Sequence, residues 1–244
     1  MLKLLIIADD FTGALDTGVR YAECGAITKV IVKKELDFYK ADCEGVEVLV
    51  LNVESRHLEA SIAYEIIRSV VAKAKEYGVP HIYKKTDSGL RGNVESELVA
   101  MLYASGENFL PFVPAFPEMN RITRNGIHYI DGLRLQDSVY GSDPFEPVHI
   151  SYIPDLFKSY DIDVEVIKAD CSYSKIEKEK IGVFDGETED DLRKIANYLH
   201  ENNRLAISAG CAGFATVLLD VLGLRKTEKK VTNCRNVYLL LAVA

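Results

Sequence analysis

Along this chain, short apolar runs alternate with longer stretches in which apolar residues recur at helical spacing. Leu2–Ala8 is apolar but for one lysine, the mark of a strand covered on both faces in a parallel sheet. A helix should follow, with Ala14, Leu15, Val19 and Ala22 on one face and its end at Gly25. Ile27–Val32 and Val46–Leu51 predict two more strands, joined by the polar connection Glu35–Glu44. Leu58, Ile62, Ile66, Val70 and Ala74 recur every four residues, which predicts a long amphipathic helix over His57–Gly78. Next come a strand at His81–Lys85, a helix from Val94 to Tyr103 capped by Asn93, and a strand at Phe109–Val113.

From Pro114 to Pro147 the alternation stops. The stretch is rich in proline, glycine and polar residues, with a hairpin or short strand at Ile127–Leu133, and so long a loop is usually functional. Alternation returns with helices near Ile150–Ser159, Glu189–Glu201 and Phe214–Leu222, and strands near Val164–Ile167, Ile181–Phe184 and Leu205–Ser208. Thr188 with Asp191 resembles a capping box at the second of these helices, with aspartate in place of the usual glutamate. The order predicts an α/β fold: a mostly parallel sheet with helices on both faces, in three layers. The domain covers 1–222, and 223–236 is polar, locally basic and reads as a linker. The apolar segment 237–244 either adds to the first sheet or begins a second domain.

Composition narrows the function. With 29 Lys+Arg against 37 Asp+Glu, the net charge of −8 argues against a nucleic-acid partner but permits a small anion held by local cations. No run approaches the about 18 apolar residues of a membrane span, and the apolar N-terminus reads as a strand, not a leader. Cys24, Cys43, Cys171, Cys211 and Cys234 are scattered, without Cys-x-x-Cys spacing, and read as reduced thiols of a cytoplasmic protein. The five histidines show no metal spacing, and no metal ligand is assigned.

The chemistry concentrates in Tyr83–Asn93, Tyr-Lys-Lys-Thr-Asp-Ser-Gly-Leu-Arg-Gly-Asn. Lys84, Lys85, Asp87, Ser88 and Arg91 form a mixed-charge loop at a strand end, able to hold a carboxylate and hydroxyls or to be a solvated salt-bridge cluster. Asp9 and Asp10 end the first strand, at the sheet edge where open α/β sheets bind ligands. One can orient a hydroxyl, bind Mg²⁺ or act as a base, or else cap the helix; strand alternation suggests that only one faces the cleft. Arg121 and Arg124 in the long loop suit an anion or plain solvation. Ser208-Ala209-Gly210 suits either backbone anion binding or close strand–helix packing. No Walker-A, G-x-G-x-x-G or H-E-x-x-H pattern occurs.

Four segments together resemble the N-terminal domain of the four-carbon acid sugar kinase family. They are Ala8-Asp9-Asp10-Phe11-Thr12-Gly13-Ala14, Lys84 to Asn93, Pro114-Ala115-Phe116-Pro117 with Arg121 and Gly126, and Ser208-Ala209-Gly210; Asp143-Pro144 also fits. The resemblance implies ATP- and Mg²⁺-dependent phosphorylation of the terminal hydroxyl of threonate, erythronate or a 3-oxo-tetronate. It implies Asp10 and Asp87 as catalytic residues, facing the hydroxyls, either being the base. Arg91 and one of Lys84 or Lys85 would hold the substrate carboxylate, within a site that also includes Asp9, Thr12, Gly13, Ser88 and Arg121. In that family a C-terminal domain carries the nucleotide site, so cofactor-binding residues are expected outside this stretch. The chain alone should bind sugar acid without tight ATP binding or efficient phosphoryl transfer, as a homo-oligomer or beside a separate nucleotide-binding half. Other readings are a non-catalytic sugar-acid-binding module and an Mg²⁺-dependent hydrolase using Asp9 and Asp10.

Overall fold

A computed structural model describes residues 1–32, 38, 45–170, 180–226 and 237–240 of the chain. Most of the expected connection Glu35–Glu44, most of the expected linker, and Cys43, Cys171 and Cys234 lie outside the described residues. The strands are β1 (Leu4–Ala8), β2 (Thr28–Val32), β3 (Val48–Asn52), β4 (His81–Lys85), β5 (Phe109–Val113), β6 (Arg121–Arg124), β7 (Ile127–Ile130), β8 (Leu133–Arg134), β9 (Asp163–Ile167), β10 (Lys180–Phe184), β11 (Ile207–Gly210) and β12 (Val237–Leu240). The helices are α1 (Phe11–Glu23), α2 (Ala60–Tyr77), α3 (Val94–Ser105), α4 (Glu189–Glu201) and α5 (Ala212–Val221).

Nine strands form one sheet in the order β12-β2-β3-β1-β4-β11-β5-β10-β9, with every pairing parallel. Strand alternation sends Leu5 and Ile7 into the core beneath α2 and α3, and Leu4, Ile6 and Ala8 into the core beneath α1, α4 and α5. The three-layer α/β architecture is the predicted one. Strand β12 pairs with β2 at the sheet edge, Val237 opposite Thr28. Of the segment expected as a linker, Leu224 is fully buried and Lys226 donates to Glu47 at 2.5 Å, so residues 223–226 pack onto the domain.

Several expectations shift. Val19 of α1 is exposed, and the buried stripe runs through Gly13, Ala14, Thr17, Gly18, Tyr21 and Ala22. Helix α2 starts at Ala60 and buries Ala63, Ile67, Val70, Val71 and Ala74, leaving Ile62 exposed. A strict four-residue row winds off the core face, because four residues overshoot one 3.6-residue turn. The helix expected over Ile150–Ser159 is only a 3-10 turn, Ile153–Phe157, in which Ile153 and Phe157 alone are buried. Two anchors supply too little burial to extend a helix.

The long loop has structure of its own. Strands β6, β7 and β8 form a small antiparallel meander. Its turns are Asn125-Gly126, with φ of 50° and 73°, and Asp131-Gly132, with φ of 49° and 81°. Two successive left-handed residues make the tight turn whose twist matches a hairpin, and Asn-Gly and Asp-Gly are the pairs that favour it.

Candidate functional site

The carboxyl ends of β1, β3, β4 and β11 lie side by side, with Ala8 opposite both Asn52 and Lys85, and Lys85 opposite Gly210. The polar segments that follow these strands therefore meet at one edge, where the strand order passes from one side of β1 (β2, β3) to the other (β4). At the centre is Arg56. Its Nε donates to Asp9 Oδ2 at 2.7 Å and its Nη2 lies 2.9 Å from Asp10 Oδ1 and 3.6 Å from Asp87 Oδ1. Both aspartates thus reach one guanidinium, although strand alternation predicts opposite directions for them. Asp9 is buried beyond the strand end, and Asp10 has already left the strand as the cap of α1, accepting from Gly13 N–H at 3.0 Å.

Asp87 accepts from Gly89 N–H at 3.1 Å and from the fork of Arg91, Nε at 2.8 Å and Nη2 at 3.1 Å. Burial pushes its carboxyl up, but the Arg91 hydrogen bonds and the charges of Arg56, Arg91 and Lys85 outweigh that and hold it at about 2. Arg91 also reaches Asp143 at 3.3 Å, and its guanidinium is raised, chiefly by the hydrogen bond to Asp87. The Tyr140 ring lies between Arg91 and Arg121, at 5.0 and 5.5 Å from the guanidinium carbons.

The adjacent lysines separate. Lys84 points to the α3 side, fully buried, with Nζ 2.8 Å from Glu97 Oε2. Lys85 points to the α1 side, where its Nζ lies 2.4 Å from where a Cβ on Gly13 would be. Among the described residues, Lys85 has no ion pair and no side-chain hydrogen bond. Arg121 likewise has no carboxylate partner among them; it donates through Nη1 to Ser88 Oγ, and its buried Nε has no acceptor. Both cations lie close enough to Cys211 to bear on its thiol. Among the described residues, the other buried side-chain polar atoms without a partner are Asp9 Oδ1, Asn52 Nδ2 and Thr86 Oγ1. Asp9, Asn52 and Thr86 all stand at this same strand edge, so the unsatisfied polar groups concentrate where a ligand would complete them.

The loop is braced from the meander. His128 Nε2–H donates to the Ser88 carbonyl at 3.0 Å, and its Nδ1 accepts from the Thr123 hydroxyl at 2.9 Å. Burial pushes the imidazole down to about 4, so it stays neutral. Beside the site, a cavity of about 660 Å³ has Arg56, Leu90, Arg91, Asn93, Phe145 and His149 in its wall.

The family model for a sugar-binding N-terminal domain matches residues 4–218. The chain belongs to that family. The chain is 31% identical over 229 residues to the D-threonate kinase of Salmonella typhimurium, covering 89% of this chain and 53% of that protein. It is 28% identical to the same organism's 3-oxo-tetronate kinase, over 65% of this chain and 38% of that protein. Among solved structures it matches a domain of unknown function from Bordetella bronchiseptica, a domain-swapped dimer with bound citrate. The TM-score is 0.80 at 28% identity, over 90% of this chain and 57% of that one. The chain spans about half the length of the curated relatives it matches. Among the described residues, no helix is long and apolar enough to cross a membrane.

Of the sequence-predicted site residues, Asp9, Asp10, Gly13, Lys85, Asp87, Ser88, Arg91 and Arg121 come together at this edge, and Thr12 stands exposed in the first turn of α1. Lys84 turns away to Glu97. Arg124 is exposed and pairs with Glu187. Asn93 makes no side-chain cap; its amide donates to the Ser55 and Leu58 carbonyls instead, at 2.9 and 2.8 Å, because that loop's carbonyls need donors. At Gly210, a Cβ would meet the Val113 carbonyl oxygen at 2.2 Å, which favours packing over anion binding. Sequence reasoning missed Arg56, Asn52 and Tyr140. A signal existed for the first two, since they follow the buried run Val46–Leu51 as Asp9 follows β1.

Proposed function

We propose that this domain binds the four-carbon sugar acid of an ATP-dependent kinase that phosphorylates the acid's terminal hydroxyl. The observation that carries this reading is a pair of cations, Lys85 and Arg121, without carboxylate partners among the described residues, beside Asp10 and Asp87. Lys85 and Arg121 take the substrate carboxylate. Asp87, ionised far below neutral pH, accepts from a hydroxyl, and Asp10, less buried than Asp9, faces the hydroxyl that reacts. Arg56 and Arg91 keep these carboxylates charged and fixed, a different role for Arg91 from direct contact with substrate.

ATP with Mg²⁺ would supply the phosphoryl group and neutralise its charge. A metal ion does not fit between Asp9 and Asp10 as arranged, because Arg56 sits on both. This also weighs against the hydrolase reading. Residues 1–244 therefore bind the acid without transferring phosphate by themselves, in a cytoplasmic setting and as a homo-oligomer or beside a nucleotide-binding partner.

Calorimetric titration of residues 1–244 with D-threonate, D-erythronate and 3-oxo-tetronate tests the reading. At least one acid should bind, Lys85→Met should weaken it about 10- to 100-fold, the worth of a charged hydrogen bond, and ATP alone should bind weakly or not at all. No binding of any tetronate, or full affinity in Lys85→Met, rules it out.

A further inference from the structure

One buried ion pair plays no part in the site just described. Lys84 Nζ lies 2.8 Å from Glu97 Oε2, and neither residue is more than 1% exposed. The same ammonium donates to the Lys85 carbonyl, the last of β4, at 3.1 Å. The other oxygen of Glu97 accepts from the Ser55 hydroxyl. At the start of the same helix, Asn93 Nδ2 donates to the Ser55 and Leu58 carbonyls, either side of Arg56. Gly92, at φ +81°, lies so near that a Cβ there would come within 2.9 Å of Arg56 Cγ and 3.2 Å of its carbonyl oxygen. Residues 92–97 thus grip the loop that presents Arg56.

Stability alone does not account for this arrangement. Desolvating two charges offsets most of their attraction, and an apolar pair of similar volume commonly serves as well or better. What apolar side chains cannot do is fix the Lys85 carbonyl and the Ser55 hydroxyl in one geometry. We propose that Lys84, Glu97, Ser55 and Asn93 form a positioning network that seats Arg56 between Asp9, Asp10 and Asp87, and so sets the carboxylates that meet the substrate's hydroxyls. The substrate in this statement rests on the sugar-acid reading; the seating of Arg56 does not.

The decisive variant is Lys84→Met/Glu97→Met, which removes the charges without leaving one unpaired. It should melt close to the wild-type temperature yet bind the tetronate about tenfold more weakly or worse. Arg56→Lys should cost much affinity in the wild-type background and little in this double variant, the non-additivity expected of coupled residues. Ser55→Ala and Asn93→Asp should reproduce the loss if the double variant fails to fold. Full affinity in a folded network variant, or additive costs, would overturn the network. A readout without ligand separates the two readings: the Arg56 Nε–H resonance in nitrogen-edited NMR should exchange slowly in the wild type and rapidly in the variants. If no tetronate binds the wild type, the sugar-acid reading falls and this resonance still decides: equal protection in variant and wild type sinks the network.

Discussion

Lys84 and Lys85 are neighbours in one strand, and the regions they enter are opposites. On the α3 side, Lys84, Glu97, Ser55 and Asn93 satisfy one another. On the α1 side, Lys85 has no partner among the described residues, and Asn52, which like Lys85 stands opposite Ala8, keeps a buried Nδ2 without a hydrogen bond. A folded chain seldom leaves buried polar groups unmatched unless something else completes them. The satisfied side reads as support and the unsatisfied side as the place for the ligand.

The contrast is sharpest in stability. Glu97→Ala leaves Lys84 buried without its counter-charge and should cost about 3–5 kcal/mol in urea unfolding. Lys85→Met removes a cation with no partner to lose and should leave the urea midpoint unchanged or higher. Equal destabilisation by the two substitutions would erase the distinction.

Acid should find the next difference. His128 is depressed from 6.5 to about 4, so its stability contribution is complete above pH 6.5 and lost as pH falls toward 4. Asp87 is depressed from 3.8 to about 2, so its contribution, about 2 kcal/mol, is complete above pH 4 and lost as pH falls toward 2. Urea midpoints measured from pH 7 to 3 should decline in two limbs. His128→Asn should flatten the upper one and Arg91→Ala the lower. A flat profile above pH 4 in the wild type contradicts the buried neutral imidazole. The smallest effect belongs to Arg124→Ala, whose pair with Glu187 is exposed, and neither melting nor tetronate affinity should change measurably.

Much of this was legible in the residues. Apolar runs located the strands because burial on both faces demands them, and polar segments at their carboxyl ends marked the candidate site, the edge at which open α/β sheets bind ligands. Asn125-Gly126 and Asp131-Gly132 carried the meander's turns in plain view, within a stretch that composition alone made look structureless. Composition and spacing did not separate Arg121 from Arg124, and only the family resemblance singled out Arg121; β6 directs Arg121 to Ser88 and Arg124 to an exposed pair with Glu187.

The sequence by itself determined the alternation of layers, the strand ends at which chemistry gathers, and the opposite facing of Lys84 and Lys85, since side chains in a strand alternate with period two. Only the tertiary structure decided what each lysine meets. Glu97 lies on α3, which packs on one face, and Gly13 on α1, which packs on the other. The same holds for Arg56, 46 residues from Asp10 in the chain and in contact with it. Local periodicity sets which way a side chain points, but register and crossover set what stands there, and these are settled by packing across the whole sheet.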